Sequence, residues 1–448
     1  MMQFLIAAPR SGSGKTTMTC AVLAALKKRG ADPCAFKSGP DYIDPMFHRS
    51  ALQVDSHNLD LFLSDRPTVQ ALYARCAAGH GAAVCEGAMG FYDGQGLTTR
   101  ASAWELADTL DLPVLLVVQP GGASVTLAAE IQGLVHFRKN SHISGILLNS
   151  CSEKLYKMLK DLLEKETGLP VLGYLPRLPQ AAVESRHLGL KTAGEIADIQ
   201  EKIALLADRL VMDWEKLAAV TERPCPEGGR LSPRGTASAS VRIAVARDGA
   251  FCFTYAETLD ALREAGAELV FFSPVQDAVL PENIGGLYLP GGYPELYAKT
   301  LSENKTMLAS IRQAVQAGLP TAAECGGFLY LGRSLEDADG KAWPMADVLP
   351  GDGIRVGRLV RFGYAEMTAK ADSMLFCAGE TLPIHEFHHW DSTANGTAFT
   401  ACKNEKMQWE CGFANENFYA GFPHLYWAGT PLPGRFVRAA ERYSKTKG

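Results

Sequence analysis

Along the first 175 residues, short apolar runs alternate with amphipathic or alanine-rich stretches. The runs are Gln3–Ala8, Pro33–Phe36, Ala82–Cys85, Val114–Val118, Ile143–Leu148 and Val171–Tyr174. They are short and almost continuously apolar, which predicts strands buried on both faces. The stretches 15–28, 66–78, 123–138 and 153–166 predict helices, and Gly30 and Gly168 stand where helix C-terminal glycines belong. Strands and helices in this alternation predict a doubly wound parallel sheet covered on two sides. The pattern lapses over 221–240, where Pro, Gly and Ser replace apolar residues, and a linker is expected there. A second α/β unit opens at Val241–Ala246. It continues with a helix near 255–265, strands at Glu268–Phe272 and Gly286–Leu289, a helix near 303–317 and a strand running into Cys325. From about residue 354 the pattern turns β-rich, with runs at Val356–Tyr364 and Phe413–Tyr419. The expected organisation is therefore 1–220, a linker over 221–240, and 241–448.

Composition narrows the function classes. The chain has 448 residues, more than one ordinary core holds, and 47% of them are hydrophobic. A net charge of −5 argues against nucleic-acid binding carried by bulk charge. No apolar stretch is long enough to span a bilayer, and the first residues lack the pattern of a signal peptide, so no membrane partner is expected. Eleven scattered cysteines without a CxxC pair point to a reducing, cytoplasmic setting rather than a disulfide framework.

Two segments carry chemistry. The first apolar run enters Pro9-Arg10-Ser11-Gly12-Ser13-Gly14-Lys15-Thr16-Thr17, and a helix follows. Gly12 and Gly14 allow backbone N–H groups to face an anion at a helix N-terminus. Lys15 is placed for the β/γ-phosphates of ATP and Thr16 for Mg²⁺, with Thr17 completing the loop. The glycine usual six residues before the lysine is Pro9 here, so the loop is a variant; Arg10 occupies the place of a second lysine found in some ATP switches. Acidic residues follow other strand ends, where ligands of open α/β sheets bind: Asp41 and Asp44 after the second run, Glu86 and Asp93 after the third. Thr16, Asp41 and Glu86 suit Mg²⁺ as hard oxygen donors, although Asp41 and Asp93 also fit ordinary turns. Asn149, at another strand end, fits either a base pocket or a turn.

The second segment is Ala323-Glu324-Cys325-Gly326-Gly327-Phe328. Small residues crowd the cysteine and permit a strand-to-helix elbow that presents a nucleophilic thiol, whose pKa a helix N-terminus would lower. Upstream, Gly291 and Gly292 offer backbone N–H groups for an oxyanion hole. The base is His424, with His385, His388 and His389 as alternatives. The segment His385-Glu386-Phe387-His388-His389 matches a zinc-protease spacing, but Pro383 before it and Trp390-Asp391 after it predict a strand rather than the helix that motif needs.

Taken together, the phosphate loop, Lys37–Pro45, Glu86–Gly94, Glu184–Leu190, Pro290–Glu295, Glu324–Phe328 and His385–His388 resemble the cobyrinate a,c-diamide synthase family of corrinoid biosynthesis over nearly the whole chain. The resemblance implies a dethiobiotin-synthetase-like ATP domain joined to a class I glutamine amidotransferase-like domain. It implies that Cys325 attacks L-glutamine with His424 shuttling protons. Ammonia then crosses to a site lined by Asp41, Tyr42, Asp44, Glu86 and Asp93, where two carboxylates of a cobyrinic acid-like tetrapyrrole are activated by ATP and amidated. A homodimer is a further expectation. In many glutaminases a Glu stands two residues after the histidine; here that place is Tyr426. Competing readings are the same chemistry on nickel-sirohydrochlorin or hydrogenobyrinic acid, and an ATP switch with an inactive glutaminase domain.

Overall fold

The structure, a computed structural model, describes residues 1–181, 185–186, 189–190, 199–226 and 241–447. The chain divides into two units, Met1–Leu231 and Ser232–Gly448.

In the first unit the strands are β1 (Met2–Ala7), β2 (Pro33–Ser38), β3 (Asp55–Leu59), β4 (Ala82–Glu86), β5 (Val114–Val118), β6 (Ile143–Asn149), β7 (Val171–Leu175), the short β8 (Ser185–Arg186) and β9 (Gly189–Leu190), and β10 (Val211–Met212). The helices are α1 (Lys15–Lys28), α2 (Ile43–Phe47), α3 (Arg66–Ala77), α4 (Ala103–Leu110), α5 (Val125–Phe137), α6 (Glu153–Thr167), α7 (Ile199–Arg209) and α8 (Trp214–Thr221). Eight strands form one sheet in the order β10-β7-β6-β5-β1-β4-β2-β3. All pair in parallel except β10, which runs antiparallel along β7. Strand order reverses beside β1, so the loops leaving β1, β2 and β4 share one crevice. Local signals agree with this layout. Asp65 caps α3 by accepting from Thr68 N at 2.9 Å, and Gly168 ends α6 with φ +70°.

Two expectations change in this unit. The polar segment Asp55–Leu59 is a strand, paired with β2 at the sheet edge. The expected linker does not begin at 221. Glu222 bridges Met2, and Gln3 Nε2 donates to Pro224 O at 2.7 Å, so the chain stays on β1 through Pro224. The remainder, 227–240, lies outside the described residues, as do Glu184, His187 and Leu188 of the Glu184–Leu190 motif.

The second unit holds β11 (Val241–Ala246), β12 (Ala267–Phe272), β13 (Gly286–Leu289), β14 (Thr321–Glu324), β15 (Ser334–Glu336), β16 (Ala342–Pro344), β17 (Asp352–Arg355), β18 (Arg361–Ala369), β19 (Thr381–His388), β20 (Trp390–Ser392), β21 (Phe399–Asn404), β22 (Met407–Cys411), β23 (Phe413–Asn415), β24 (Phe418–Gly421) and β25 (His424–Leu425). Its helices are α9 (Ala256–Glu264), α10 (Ala298–Glu303), α11 (Lys305–Gln316), α12 (Gly326–Tyr330) and α13 (Leu432–Lys447). The central sheet has the order β12-β11-β13-β14-β24-β23, parallel but for β23. An antiparallel sheet, β22-β21-β18-β19-β25, ends on the strand that carries His424. The expected run Val356–Tyr364 is broken: β17 stops at Arg355, Gly357 takes φ +72°, and β18 starts at Arg361. Phe413–Tyr419 is a hairpin of β23 and β24 rather than one strand. No helix among the described residues is long and apolar enough to cross a membrane.

Candidate active sites

The phosphate loop joins β1 to α1, with Gly12 at φ +78° and Gly14 at φ +88°. Those angles put non-glycine residues under strain. A Cβ on Gly14 would also stand 1.9 Å from Asn149 Nδ2, which donates to Ser13 O at 3.0 Å. Asn149 therefore braces the loop from the end of β6. The Lys15 ammonium donates to Met89 O and, at 3.4 Å, to Arg10 O. Arg10 itself is exposed and paired with Glu130 on α5. Burial, then the charge of Lys37, lowers the Lys15 pKa to about 8. The ammonium form therefore prevails below that pH and is lost above it. Affinity for ATP is expected to fall above about pH 8, and Lys15→Arg, which cannot deprotonate, should remove that dependence. Calorimetric titrations with ATP from pH 7 to 9.5, in parent and variant, check this.

Beside the loop, Thr16 Oγ1 donates to Glu86 Oε1 at 2.6 Å, and Lys37 Nζ donates to the same oxygen at 2.9 Å. Lys37 also pairs with Asp44. All three ionisable groups are nearly or fully buried. Burial alone would depress the Lys37 pKa, but Asp44 and Glu86 outweigh it and hold the ammonium charged. Glu86 is pushed up by burial. Its Oε2 has no hydrogen-bond partner, and His48 Nε2 lies 3.9 Å from it. Burial lowers His48 to about 4, which leaves that ring neutral at pH 7. Asp41 lies at the margin of this cluster. Its Oδ1 accepts from Ile43 N at 2.8 Å, and burial together with Asp44 raises it to about 7. Tyr42 is buried next to it, while Asp93 is exposed and accepts from Gly90 N at 3.1 Å. Thus Thr16, Asp44 and Glu86 meet, Asp41 borders them, and Asp93 shapes the Gly90 turn. Lys37 and His48 were missed as site residues. A lysine in the apolar run Cys34-Ala35-Phe36 was the available signal for the first.

In the second unit, Cys325 takes φ +49° and ψ −104° between β14 and α12. A non-glycine residue there is strained, and close contacts hold it. A Cβ on Gly327 would meet Leu289 O at 2.3 Å, and one on Gly326 would meet Pro294 Cδ at 2.8 Å and Gly292 N at 3.0 Å. A Cβ on Gly291 would lie 2.6 Å from His424 Cε1 and 3.5 Å from Cys325 Cβ, which places loop, thiol and imidazole side by side. Burial lowers His424 to about 3, with His385 and His388 adding to the effect. The expected lowering of the thiol pKa does not occur. Burial, followed by the charge of Glu295, pushes Cys325 well above the ordinary thiol range, and the Gly326 N–H only partly offsets this. The resting pair is therefore a neutral thiol beside a neutral imidazole, the state in which the ring can accept a proton.

The other histidines have different settings. His385 is opposite His424 in the β19–β25 pairing. His388 stacks on Phe422 with ring centroids 3.8 Å apart and bonds Trp390 O at 2.6 Å. Because His385 lies on a strand, His389 is displaced from it by roughly 13 Å along the chain, too far for one zinc ion. Among the described residues, no group of three or more His, Cys, Asp or Glu side chains is gathered as a metal site.

Comparison with known proteins assigns each unit to a domain family. Residues 4–190 match the CobQ/CobB/MinD/ParA nucleotide binding domain, and residues 242–431 match the CobB/CobQ-like glutamine amidotransferase domain. The cobyrinate a,c-diamide synthase of Caldanaerobacter subterraneus is 38% identical, with 94% of each chain covered. That of Clostridium acetobutylicum is 37% identical over 96% of this chain and 98% of its own. That of Salmonella typhimurium is 37% identical over 98% of both. The chain belongs to the cobyrinate a,c-diamide synthase family, whose members are glutamine-using amide ligases with a nucleotide-binding domain and a glutamine amidotransferase domain.

Proposed function

We propose that this protein amidates the a and c side-chain carboxylates of cobyrinic acid, using ATP and L-glutamine, through acyl-phosphate intermediates. The observation that carries the reading is the presence on one chain of a strained thiol elbow beside an imidazole and of a phosphate loop beside the buried Lys37–Asp44–Glu86 cluster. Cys325 Sγ attacks the glutamine amide as its proton passes to His424. The Gly291–Gly292 backbone faces the developing oxyanion. The imidazolium returns its proton to the leaving ammonia, and water releases glutamate from the thioester.

In the first unit, Gly12, Gly14, Lys15 and Thr17 seat the triphosphate. The Thr16 hydroxyl and the unpartnered Glu86 Oε2 fit a hard cation that keeps other ligands from phosphate and water, so these two residues would hold Mg²⁺. The ion would neutralise phosphate charge there. Lys37, held by Asp44 and Glu86 and bordered by Asp41 and Tyr42, orients the substrate carboxylate toward the γ-phosphate, while Asp93 shapes the Gly90 turn. The carboxylate oxygen takes the phosphoryl group, ADP leaves, and ammonia displaces phosphate to form the amide.

Cobyrinic acid labelled with ¹⁸O in its carboxylates tests the acyl phosphate. Label should appear in inorganic phosphate in step with amide formed. Amide formation with unlabelled phosphate would exclude that intermediate.

A further inference from the structure

Sequence reading leaves the glutaminase base without an acidic partner, because Tyr426 occupies the usual place. The structure offers a different carboxylate. Glu324 directly precedes Cys325 at the end of β14 and is 1% exposed. Its Oε2 lies 3.9 Å from His424 Nδ1 and accepts from Leu425 N at 3.4 Å, while its Oε1 accepts from Trp427 Nε1 at 2.9 Å. Tyr288 on β13 also donates to it. The carboxylate is thus clamped by the residues that flank His424, and the strand that carries it delivers the nucleophile. One side chain ties thiol and base together.

We propose that Glu324 is the positioning residue of the glutaminase: its carboxylate fixes the His424 imidazole opposite Cys325 and stabilises the imidazolium formed when the thiol proton is taken up. At 3.9 Å the contact is too long for a hydrogen bond, and with burial pushing Glu324 up to about 8 and His424 down to about 3 the resting pair is neutral, so the charges appear together only when the ring takes up a proton. Its value is therefore greatest once the ring is protonated, in the step where the ion pair Cys⁻/His⁺ develops. The other titratable groups facing this pair are His385 and His388 from β19, and Glu295 and Glu386 near the thiol. The two histidines oppose a charge on His424. The nearest carboxyl on the His424 side is Glu324, which burial pushes up to about 8 and which becomes a counter-charge only against a protonated ring. A carboxylate held by Trp427, Leu425 and Tyr288 cannot swing away, so the base keeps one orientation through the turnover.

The inference rests on the glutaminase reading above, and its test separates the two. Glu324→Gln keeps an acceptor for Trp427 and Leu425 but removes the charge. The kcat for glutamine hydrolysis is expected to fall about 10²-fold, the scale of an impaired acid–base step, with KM for glutamine essentially unchanged. Glu324→Asp, which restores the charge, should recover part of the loss. The Glu324 charge also raises the thiol directly, so alkylation of Cys325 by iodoacetamide should shift to higher pH in Glu324→Gln because the lost support of the imidazolium outweighs that relief, and less so in Glu324→Asp. Equal losses in both variants, with the alkylation profile unmoved, would mean a purely structural role and overturn the proposal. So would a Glu324→Gln enzyme within about twofold of the parent, since a group that matters to an acid–base step costs more than that. If Cys325→Ala still hydrolyses glutamine, the glutaminase reading itself fails, whatever Glu324 does.

Discussion

Replacing Cys325 by alanine should lower glutamine-dependent amidation by at least about 10³-fold, because without the nucleophile no thioester can form. Amidation driven by added ammonium chloride should continue near the parent rate. The contrast follows from the separation of the two chemistries. Cys325, His424 and the Gly291 loop belong to one compact unit, whereas Lys15, Thr16, Lys37 and Glu86 belong to the other. The substitution is also mild for the fold. Cys325 is 7% exposed within an apolar cluster, and alanine removes only the sulfur. Steady-state rates with glutamine and with ammonia, on one preparation, measure the effect. Loss of both activities would contradict the assignment of Cys325 to ammonia release alone.

Glu86→Gln should have the complementary outcome. Amidation should fall by at least about 10²-fold with either nitrogen source, while glutamine hydrolysis without tetrapyrrole persists. Glu86 Oε1 receives both Thr16 Oγ1 and Lys37 Nζ, so neutralising it disturbs the phosphate loop and the buried lysine together. Lys37 retains Asp44, which limits the cost in stability to about 1–3 kcal/mol, the range for weakening a buried polar contact. Thermal melts and product assays with both nitrogen sources separate catalytic from stability effects. A variant that amidates at the parent rate with ammonia would remove Glu86 from the synthetase site.

The strands that position these groups were legible where burial on both faces left an unbroken apolar run, as at Val114–Val118 and Ile143–Leu148. Asp55–Leu59 was not, because its polar side chains Ser56, His57 and Asn58 are buried among partners from neighbouring elements. His48 Nδ1 meets Ser56 Oγ at 3.1 Å, and Asn58 donates to Gly39 O and Asp41 O. A period-two hydrophobic signal cannot register such a strand. The glycine-rich turns were readable, since Gly14, Gly291 and Gly327 each face an atom that any side chain would strike. The roles of Lys37 and Glu324 were not. Both sit at strand ends, and their meaning depends on which other strand ends stand opposite, a fact of sheet order rather than of local sequence. The direction of the Cys325 pKa was misjudged for a related reason. A helix N-terminus was visible in the sequence, but the enclosure of the thiol was not.

The most direct measurement is mass spectrometry of cobyrinic acid incubated with the protein, glutamine, ATP and Mg²⁺. Each exchange of a carboxylate hydroxyl for an amide lowers the substrate mass by about one dalton, as acyl transfer to ammonia requires. Two successive losses that require glutamine and ATP, mapped to the a and c side chains, are the expected result. An unchanged mass while glutamine is still hydrolysed would contradict cobyrinic acid as the substrate.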